Sequence, residues 1–158
     1  MKSLILSQNQ TTWVDDWNFE WLNQWKWYAI WNKDTQSFYA KRNDGIPPNR
    51  GTISIHREIM KTPKDMICDH INHDTLLNTE GNLRNVTPAQ SNMNRVLREN
   101  SLKERCIRKT PYGFQVRVKV GGVMVHDKFF KEIEDAIASR DWAINKYHGE
   151  YANLEKRR

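Results

Sequence analysis

The stretch that decides the fold is residues 66–87, MICDHINHDTLLNTEGNLRNVT. Its apolar start, Met66–Cys68, predicts a strand that ends in an adjacent Asp-His pair. A polar loop follows, and a second short strand carries Leu83 and Val86. The stretch therefore predicts a hairpin whose loop is rich in side chains able to bind ligands.

A helix is expected directly after this hairpin. Thr87 suits the N-cap position, and Pro88 suits the first helical position. The order strand, loop, strand, helix predicts an α+β module in which the hairpin packs on one helix. A carboxylate, an imidazole and an amide would converge at its mouth.

Asp69 and His70 are adjacent on the predicted strand, so their side chains should point to opposite faces. We therefore expect the two residues to have different chemical roles. Hydrolysing a phosphodiester requires an activated water and a cation that neutralises developing charge. Mg²⁺ prefers oxygen ligands and takes few from protein, so one carboxylate and one amide suffice. Asp69 can hold the metal while His70 takes the proton from water. An isolated Asp-His pair is more often a solvated turn.

The conjunction of these motifs resembles the HNH nucleases found in phages and in intron-borne homing endonucleases. Three features carry the resemblance over roughly Thr52 to Arg95: Asp69-His70-Ile71-Asn72, Asn82-Leu83-Arg84 and an asparagine-rich helix. The resemblance implies a ββα-metal nuclease module that cleaves double-stranded DNA with Mg²⁺ as cofactor, Mn²⁺ being the alternative.

The same resemblance assigns roles to individual residues. It makes His70 the general base and Asp69 a metal ligand, and it gives Asn82 the task of ordering the loop and holding His70. The family's usual spacing places the third ligand at Ser91, a poor ligand, so the role passes to Asn92, with Asn94 as the alternative. Ser91 also leaves open a second interpretation, a catalytically decayed HNH protein that binds DNA as a regulator.

The first fifty residues contain six of the chain's seven tryptophans. A short helix is expected after Asp15 and Asp16, then a hairpin whose strands lie near Trp27–Trp31 and Phe38–Ala40. The rings are interpreted mainly as core, because a small module gains much buried area from few aromatic residues. Base stacking is the alternative.

A further short strand is expected at Thr52–Ile55, followed by His56 and Arg57. The His-Arg pair recurs in the HNH family. We interpret His56 as a packed structural residue, and contact with the active site is the alternative.

The last third predicts a sheet backed by a helix. Apolar and polar residues alternate over 114–120, Gly121-Gly122 turns the chain, and residues 123–128 return. Apolar residues then recur at helical spacing over 133–147, and residues 106–108 can supply a third strand. The expected three-stranded antiparallel sheet packs on one helix and leaves a basic face open.

Residues 105–154 resemble the APETALA-type (ethylene-response) DNA-binding domain, through Val116-Arg117-Val118-Lys119-Val120, Phe129-Phe130 and Glu134-Asp135-Ala136. That resemblance implies that the sheet enters the major groove, which a β-ribbon fits. Met124 and Asp127 depart from the family pattern, and a merely solvated basic face is the alternative. The candidate DNA-binding residues are Arg108, Tyr112, Arg117, Lys119 and His126.

Composition sets the outer limits. A net charge of +6 and a pI near 9.4 favour a polyanionic partner, with RNA not excluded. The two cysteines predict neither a disulfide framework nor a zinc site. No membrane-spanning run or secretory signal is evident, so we expect a cytoplasmic monomer without an obligate protein partner, inside a bacterial host if a phage encodes it. The expected domains are 1–99, the nuclease, and 100–158, the DNA-binding module.

Overall fold

The computed structural model describes residues 1–45, 51–94, 102 and 104–154. The chain forms two compact units, residues 1–87 and residues 88–158, in a mixed α+β fold of small sheets and few helices. The expected domain boundary between residues 99 and 100 lies outside the described residues and stays a prediction. None of the helices in the described ranges is long and apolar enough to cross a membrane.

The first unit consists of eight strands and two short helices within its described residues. In chain order they are β1 (Lys2–Ile5), β2 (Thr11–Val14), α1 (Asp16–Leu22), β3 (Tyr28–Asn32), β4 (Ser37–Asp44), β5 (Gly51–Ser54), α2 (Ile55–Ile59), β6 (Ile67–His70), β7 (Leu77–Asn78) and β8 (Leu83–Val86). A 3-10 turn at Glu80–Asn82 precedes β8.

These strands form three small sheets. β1 pairs antiparallel with β2, and β2 pairs in parallel with the two-residue strand β7. β3, β4 and β5 form an antiparallel sheet, and β6 pairs antiparallel with β8. The hairpin of residues 66–87 and the strands β3 to β5 match the sequence prediction. The N-terminal pair β1–β2 and the helix α2 were not anticipated.

The core of the first unit is built mainly from aliphatic side chains. Val14, Leu22 and Ile55 are fully buried, and several smaller residues complete the cluster. This core ties the N-terminal strands to the β6–β8 hairpin, because Leu4, Cys68 and Leu83 belong to the same cluster.

The expectation that most tryptophans are core is wrong. Of the six in the first unit only Trp27 is buried, and its indole N–H donates to the carbonyl of Leu22 at 2.8 Å. Two of the exposed rings instead pack against neighbouring side chains. The ring of Trp25 lies 4.3 Å from the Arg42 guanidinium, and that of Trp31 lies 4.9 Å from Phe38. The exposed rings are Trp13, Trp17, Trp25 and Trp31.

The second unit contains the predicted three-stranded antiparallel sheet and its helix. Its elements are α3 (Pro88–Asn94), β9 (Ile107–Thr110), β10 (Gly113–Val120), β11 (Val123–Phe130) and α4 (Ile133–His148), with a 3-10 turn at Gly149–Tyr151. β10 is the central strand. The apolar stripe of α4 packs with the sheet, and Val116, Val118 and Ile144 are fully buried between them.

Gly113, at the start of β10, has a conformation that only glycine tolerates. Its φ is +132°, and a Cβ at this position would lie 2.2 Å from the carbonyl oxygen of Phe130. The close approach of β10 and the end of β11 therefore depends on this glycine.

The helix α3 begins at Pro88, as predicted from Pro88 and Thr87. It belongs to the second compact unit. The packing of the β6–β8 hairpin on this helix, which a ββα-metal module requires, stays a prediction.

Candidate functional site

The pairing of β6 with β8 places Asp69 directly opposite Arg84. The Asp69 carboxylate oxygen Oδ2 accepts from Arg84 Nε at 3.2 Å and from its terminal nitrogen at 3.1 Å. Both side chains are largely buried, with 15% and 16% of their surface exposed. Two contacts from one guanidinium hold this carboxylate in a defined orientation.

His70, the next residue on β6, is buried, and its ring nitrogen Nε2 lies 3.1 Å from Oδ1 of Asn78. Burial lowers the pKa of His70, and the Asn78 hydrogen bond and the negative charge of Asp69 oppose part of this effect. The imidazole is therefore neutral at physiological pH, the state in which it can accept a proton.

Two aromatic rings, those of His56 and Tyr39, lie beside the His70 ring. The ring of His56 lies 5.1 Å from that of His70, and Tyr39 lies 5.8 Å from His56 and 6.2 Å from His70, between ring centroids. Burial lowers the pKa of His56 to about 3, with smaller contributions from His70, Arg57 and Lys41. His56 is therefore a packed residue, as interpreted from the sequence, and it packs against His70, a candidate site residue.

Asn82 orders the loop that follows His70. Its Oδ1 accepts from the backbone N–H of Asn72 at 3.1 Å, and its Nδ2 donates to the carbonyl of Leu77 at 2.9 Å. Its own carbonyl accepts from the N–H of Ile71 at 2.9 Å. These bonds fix the backbone of the loop directly after β6 and again at Leu77.

The partner of His70 Nε2 is Asn78, a residue that was given no role on the basis of the sequence. Asn78 lies on β7 and is fully buried. The one sequence signal is that an asparagine ends the apolar pair Leu76-Leu77, which is typical of a buried amide with a specific partner.

Asn92, the predicted third ligand, is an exposed residue of α3, and its backbone carbonyl accepts from Arg105 at 3.2 Å. The alternative, Asn94, is buried, and its carbonyl accepts from Asn153 Nδ2 at 2.9 Å. Both belong to the second unit, whereas Asp69 and His70 belong to the first. A metal site shared by Asp69 and Asn92 stays a prediction.

The donor set fits a hard divalent cation better than zinc. Among the described residues no three His, Cys, Asp or Glu side chains cluster in a way that could hold a metal. Mg²⁺ needs fewer protein ligands, because it keeps several of its waters.

In the second unit, the side of the sheet that faces away from α4 carries charged residues, and we call it the open face. The register puts Arg108 opposite Gln115 and Arg117 opposite Asp127, and Lys119 follows on the same side of β10. Arg108, Arg117 and Lys119 are exposed. These three candidate DNA-binding residues therefore share one surface.

Tyr112, the fourth candidate, lies in the β9–β10 turn and is 90% exposed. The open face also carries one acidic residue. Asp127 accepts from Gln115 Nε2 at 2.8 Å and from Arg117 Nε at 3.3 Å, so it offsets the charge of Arg117. Asp127, which departs from the APETALA-type pattern, therefore pairs with two neighbouring residues of the same face.

The expected position of His126 on the open face is wrong. The β10–β11 register shifts after Val118, so that Val118 pairs with His126 and Lys119 pairs with Met124. His126 therefore lies on the helix-facing side with Val118, and its Nε2 lies 2.8 Å from the hydroxyl of Ser139. A hairpin with a two-residue turn and strict alternation would put His126 on the open face, and a β-bulge breaks that alternation.

One similarity to a known protein bears on the function of this chain. The chain is 27% identical over 149 residues to a protein of Acanthamoeba polyphaga mimivirus named as an uncharacterized HNH endonuclease, covering 90% of this chain and 72% of that protein. No family model matches the chain. No solved structure matches it. The similarity supports an HNH-type nuclease.

Proposed function

We propose that this protein is a metal-dependent DNA endonuclease of the homing HNH type, which hydrolyses phosphodiester bonds, and that its second unit binds duplex DNA. The observation that carries the proposal is the environment of His70, a buried neutral imidazole held by Asn78 and directly preceded by an oriented carboxylate. The similarity to a protein named as an HNH endonuclease supports it independently.

In this proposal His70 is the general base. Its lowered pKa keeps the ring unprotonated at physiological pH, so it can accept the proton of the attacking water. The rings of His56 and Tyr39 pack around it and restrict its orientation. Asn82 acts indirectly, as a positioning residue, because it fixes the backbone of the loop that follows His70.

Asp69 and Asn92 are the proposed ligands of one divalent ion, Mg²⁺ or Mn²⁺. When bound, such an ion neutralises charge on the phosphate and on the departing 3′ oxygen. Arg84 holds the Asp69 carboxylate by two hydrogen bonds, so the ligand is oriented before any cation arrives.

The open face of the second unit is the proposed DNA-binding surface. Arg108, Arg117 and Lys119 would contact phosphates or base edges, with Tyr112 at one end of the same sheet. Because cationic side chains displace counterions from DNA, binding should weaken steeply with salt. His126 is not part of this proposed surface, because its side chain faces α4.

A plasmid-nicking assay with Mg²⁺ or Mn²⁺ tests the proposal. We expect the wild type to nick supercoiled DNA and His70→Ala to lose at least about 10²-fold in rate, the usual minimum for removing a general base. His73→Ala is the matched control, since His73 lies in the following loop and has no proposed role. Equal nicking by His70→Ala and wild type would refute the assignment.

The second candidate function is a DNA-binding regulator whose HNH site has decayed. Ser91, at the position where the family usually places a ligand, favours it. Binding of duplex DNA without cleavage under every metal tried would select this alternative. Competition between duplex DNA and RNA in the same binding assay tests the polyanion that the chain prefers.

A further inference from the structure

A chain of hydrogen bonds links the backbone of Leu76 to the ring of His70. The hydroxyl of Thr12 donates to the Leu76 carbonyl at 2.8 Å, and Asn78 Nδ2 donates to the Thr12 oxygen at 2.7 Å. The other end of the Asn78 amide, Oδ1, lies 3.1 Å from His70 Nε2. All of these residues lie in the first unit.

The number of available protons decides the direction of each bond. A carbonyl oxygen only accepts, so the single proton of the Thr12 hydroxyl is committed to Leu76. The Thr12 oxygen must then accept from Asn78, and only the NH₂ end of the amide can donate. A second contact requires the same orientation, because the Asn78 NH₂ group also lies 3.4 Å from the carbonyl of Thr75.

This orientation leaves the Asn78 oxygen facing His70, and an amide oxygen can only accept. The Nε2 atom must therefore carry the proton, and in a neutral imidazole the other nitrogen, Nδ1, then carries the lone pair. Thr12 and Asn78 are both fully buried. A reversed amide would set two acceptors against each other at Thr75, which is costly for a buried group.

We infer that Thr12 and Asn78 fix His70 in the tautomer protonated at Nε2, and so assign to Nδ1 the task of taking the proton from the attacking water. Asn78 is thus a positioning residue, and Thr12 orients Asn78. The task of Nδ1 rests on the proposed nuclease function, whereas the tautomer does not. The opposite tautomer would offer the water an N–H group, which cannot accept its proton.

Nuclear magnetic resonance of the metal-free full-length protein tests the tautomer directly. Long-range ¹H–¹⁵N correlations distinguish the protonated from the unprotonated ring nitrogen, and the spectrum of His70→Gln identifies the His70 signals. Above neutral pH we expect the wild type to carry the proton on Nε2. A proton on Nδ1 would overturn the inference, even if every variant failed to fold.

Variants of Asn78 then test its effect on activity. Asn78→Ala removes the acceptor, so we expect a mixture of tautomers and a loss of about 10²-fold or more in kcat for nicking, with DNA affinity unchanged. Asn78→Asp keeps the acceptor oxygen that faces Nε2, so the Nε2 proton should be retained, but its second oxygen opposes the Thr75 carbonyl and should lower stability. If Asn78→Ala folds and keeps the wild-type tautomer or rate, the positioning role is refuted.

Asn18→Ala is the matched control. Asn18 is another buried asparagine of the first unit, with side-chain bonds to Glu80 and Trp21. Its loss should lower stability without changing the His70 spectrum or the nicking rate, and a change in either would assign the effect of Asn78 to general destabilisation. If the wild type never nicks DNA but shows the Nε2 proton, the tautomer assignment stands and the nuclease proposal fails.

Discussion

Each unit of the protein contains an aspartate paired across two antiparallel strands with an arginine. In the first unit Asp69 lies opposite Arg84, and in the second Asp127 lies opposite Arg117. Their closest contacts are similar, 3.1 Å and 3.3 Å. Their surroundings differ, because the Asp69 and Arg84 side chains are 15% and 16% exposed, whereas those of Asp127 and Arg117 are 36% and 50% exposed.

The difference shows that one pairing pattern serves two physical purposes. A largely buried pair cannot be broken without leaving a charge in a poorly solvated site, so it enforces one geometry. A solvated pair contributes little stability and is screened by salt, so its charges remain available to a partner. The first arrangement suits a preorganised catalytic carboxylate, and the second suits a surface that exchanges protein contacts for DNA contacts.

The largest effect is expected at the buried pair. Arg84→Ala leaves the Asp69 carboxylate without its guanidinium, and the free energy of unfolding should fall by about 3 kcal/mol or more. Urea denaturation, followed by the fluorescence of the first unit's tryptophans, measures it. A loss below about 1 kcal/mol would mean that the two pairs do not differ in the way their burial indicates.

A pH dependence of stability is expected from the same buried region. The pKa of His56 is about 3 in the folded protein, below the ordinary value of 6.5, because burial disfavours the charged ring. Between these values the unfolded chain binds more protons, so the free energy of unfolding decreases as the pH falls, by roughly 1.4 kcal/mol per pH unit. His56→Phe should flatten this slope between pH 6.5 and 4.5, where few carboxylates titrate. An unchanged slope would contradict the burial of His56.

At the open face we expect smaller effects, visible in DNA binding. Lys119→Ala should reduce the slope of log affinity against log salt by about 0.9, the value for one phosphate contact. Arg117→Ala should reduce it less, because Asp127 already offsets this charge. Fluorescence anisotropy of labelled duplex DNA at several salt concentrations measures both slopes. Equal slopes for both variants and the wild type would remove the open face from the DNA interface.

The smallest effect on stability is expected for Asp127→Asn. An exposed pair contributes about 0–1 kcal/mol, and asparagine keeps one acceptor oxygen for Gln115 or Arg117, so unfolding in urea should change little. DNA affinity should rise, because one negative charge leaves the open face. A fall in affinity would indicate that Asp127 itself contacts the DNA.

Local pattern predicted most of the elements whose partners lie nearby in the sequence, although it missed the pair β1–β2. The β6–β8 hairpin and the helix α4 followed from hydrophobic periodicity and turn residues. The sheet formed by β1, β2 and β7 did not, because β2 pairs with residues more than sixty positions away and β7 is only two residues long. Short strands with distant partners leave almost no local signal.

The candidate site divides in the same way. Asp69, His70 and Asn82 could be proposed from the sequence because they belong to a compact motif, and the structure places them at the end of β6 and in the turn before β8. Asn78 was missed because its role depends on Thr12, 66 residues away. His126 was misplaced because one extra residue in β11 reverses which side of the sheet it faces.

The short parallel pairing of β2 with β7 has a consequence for how this nuclease-like motif can be transplanted. A fragment beginning at residue 51 would retain every motif residue of the β6–β8 hairpin, yet it would lack Thr12 and the strand that carries it. The candidate site is therefore not contained in the hairpin alone, and transferring it to another scaffold requires strand β2 as well.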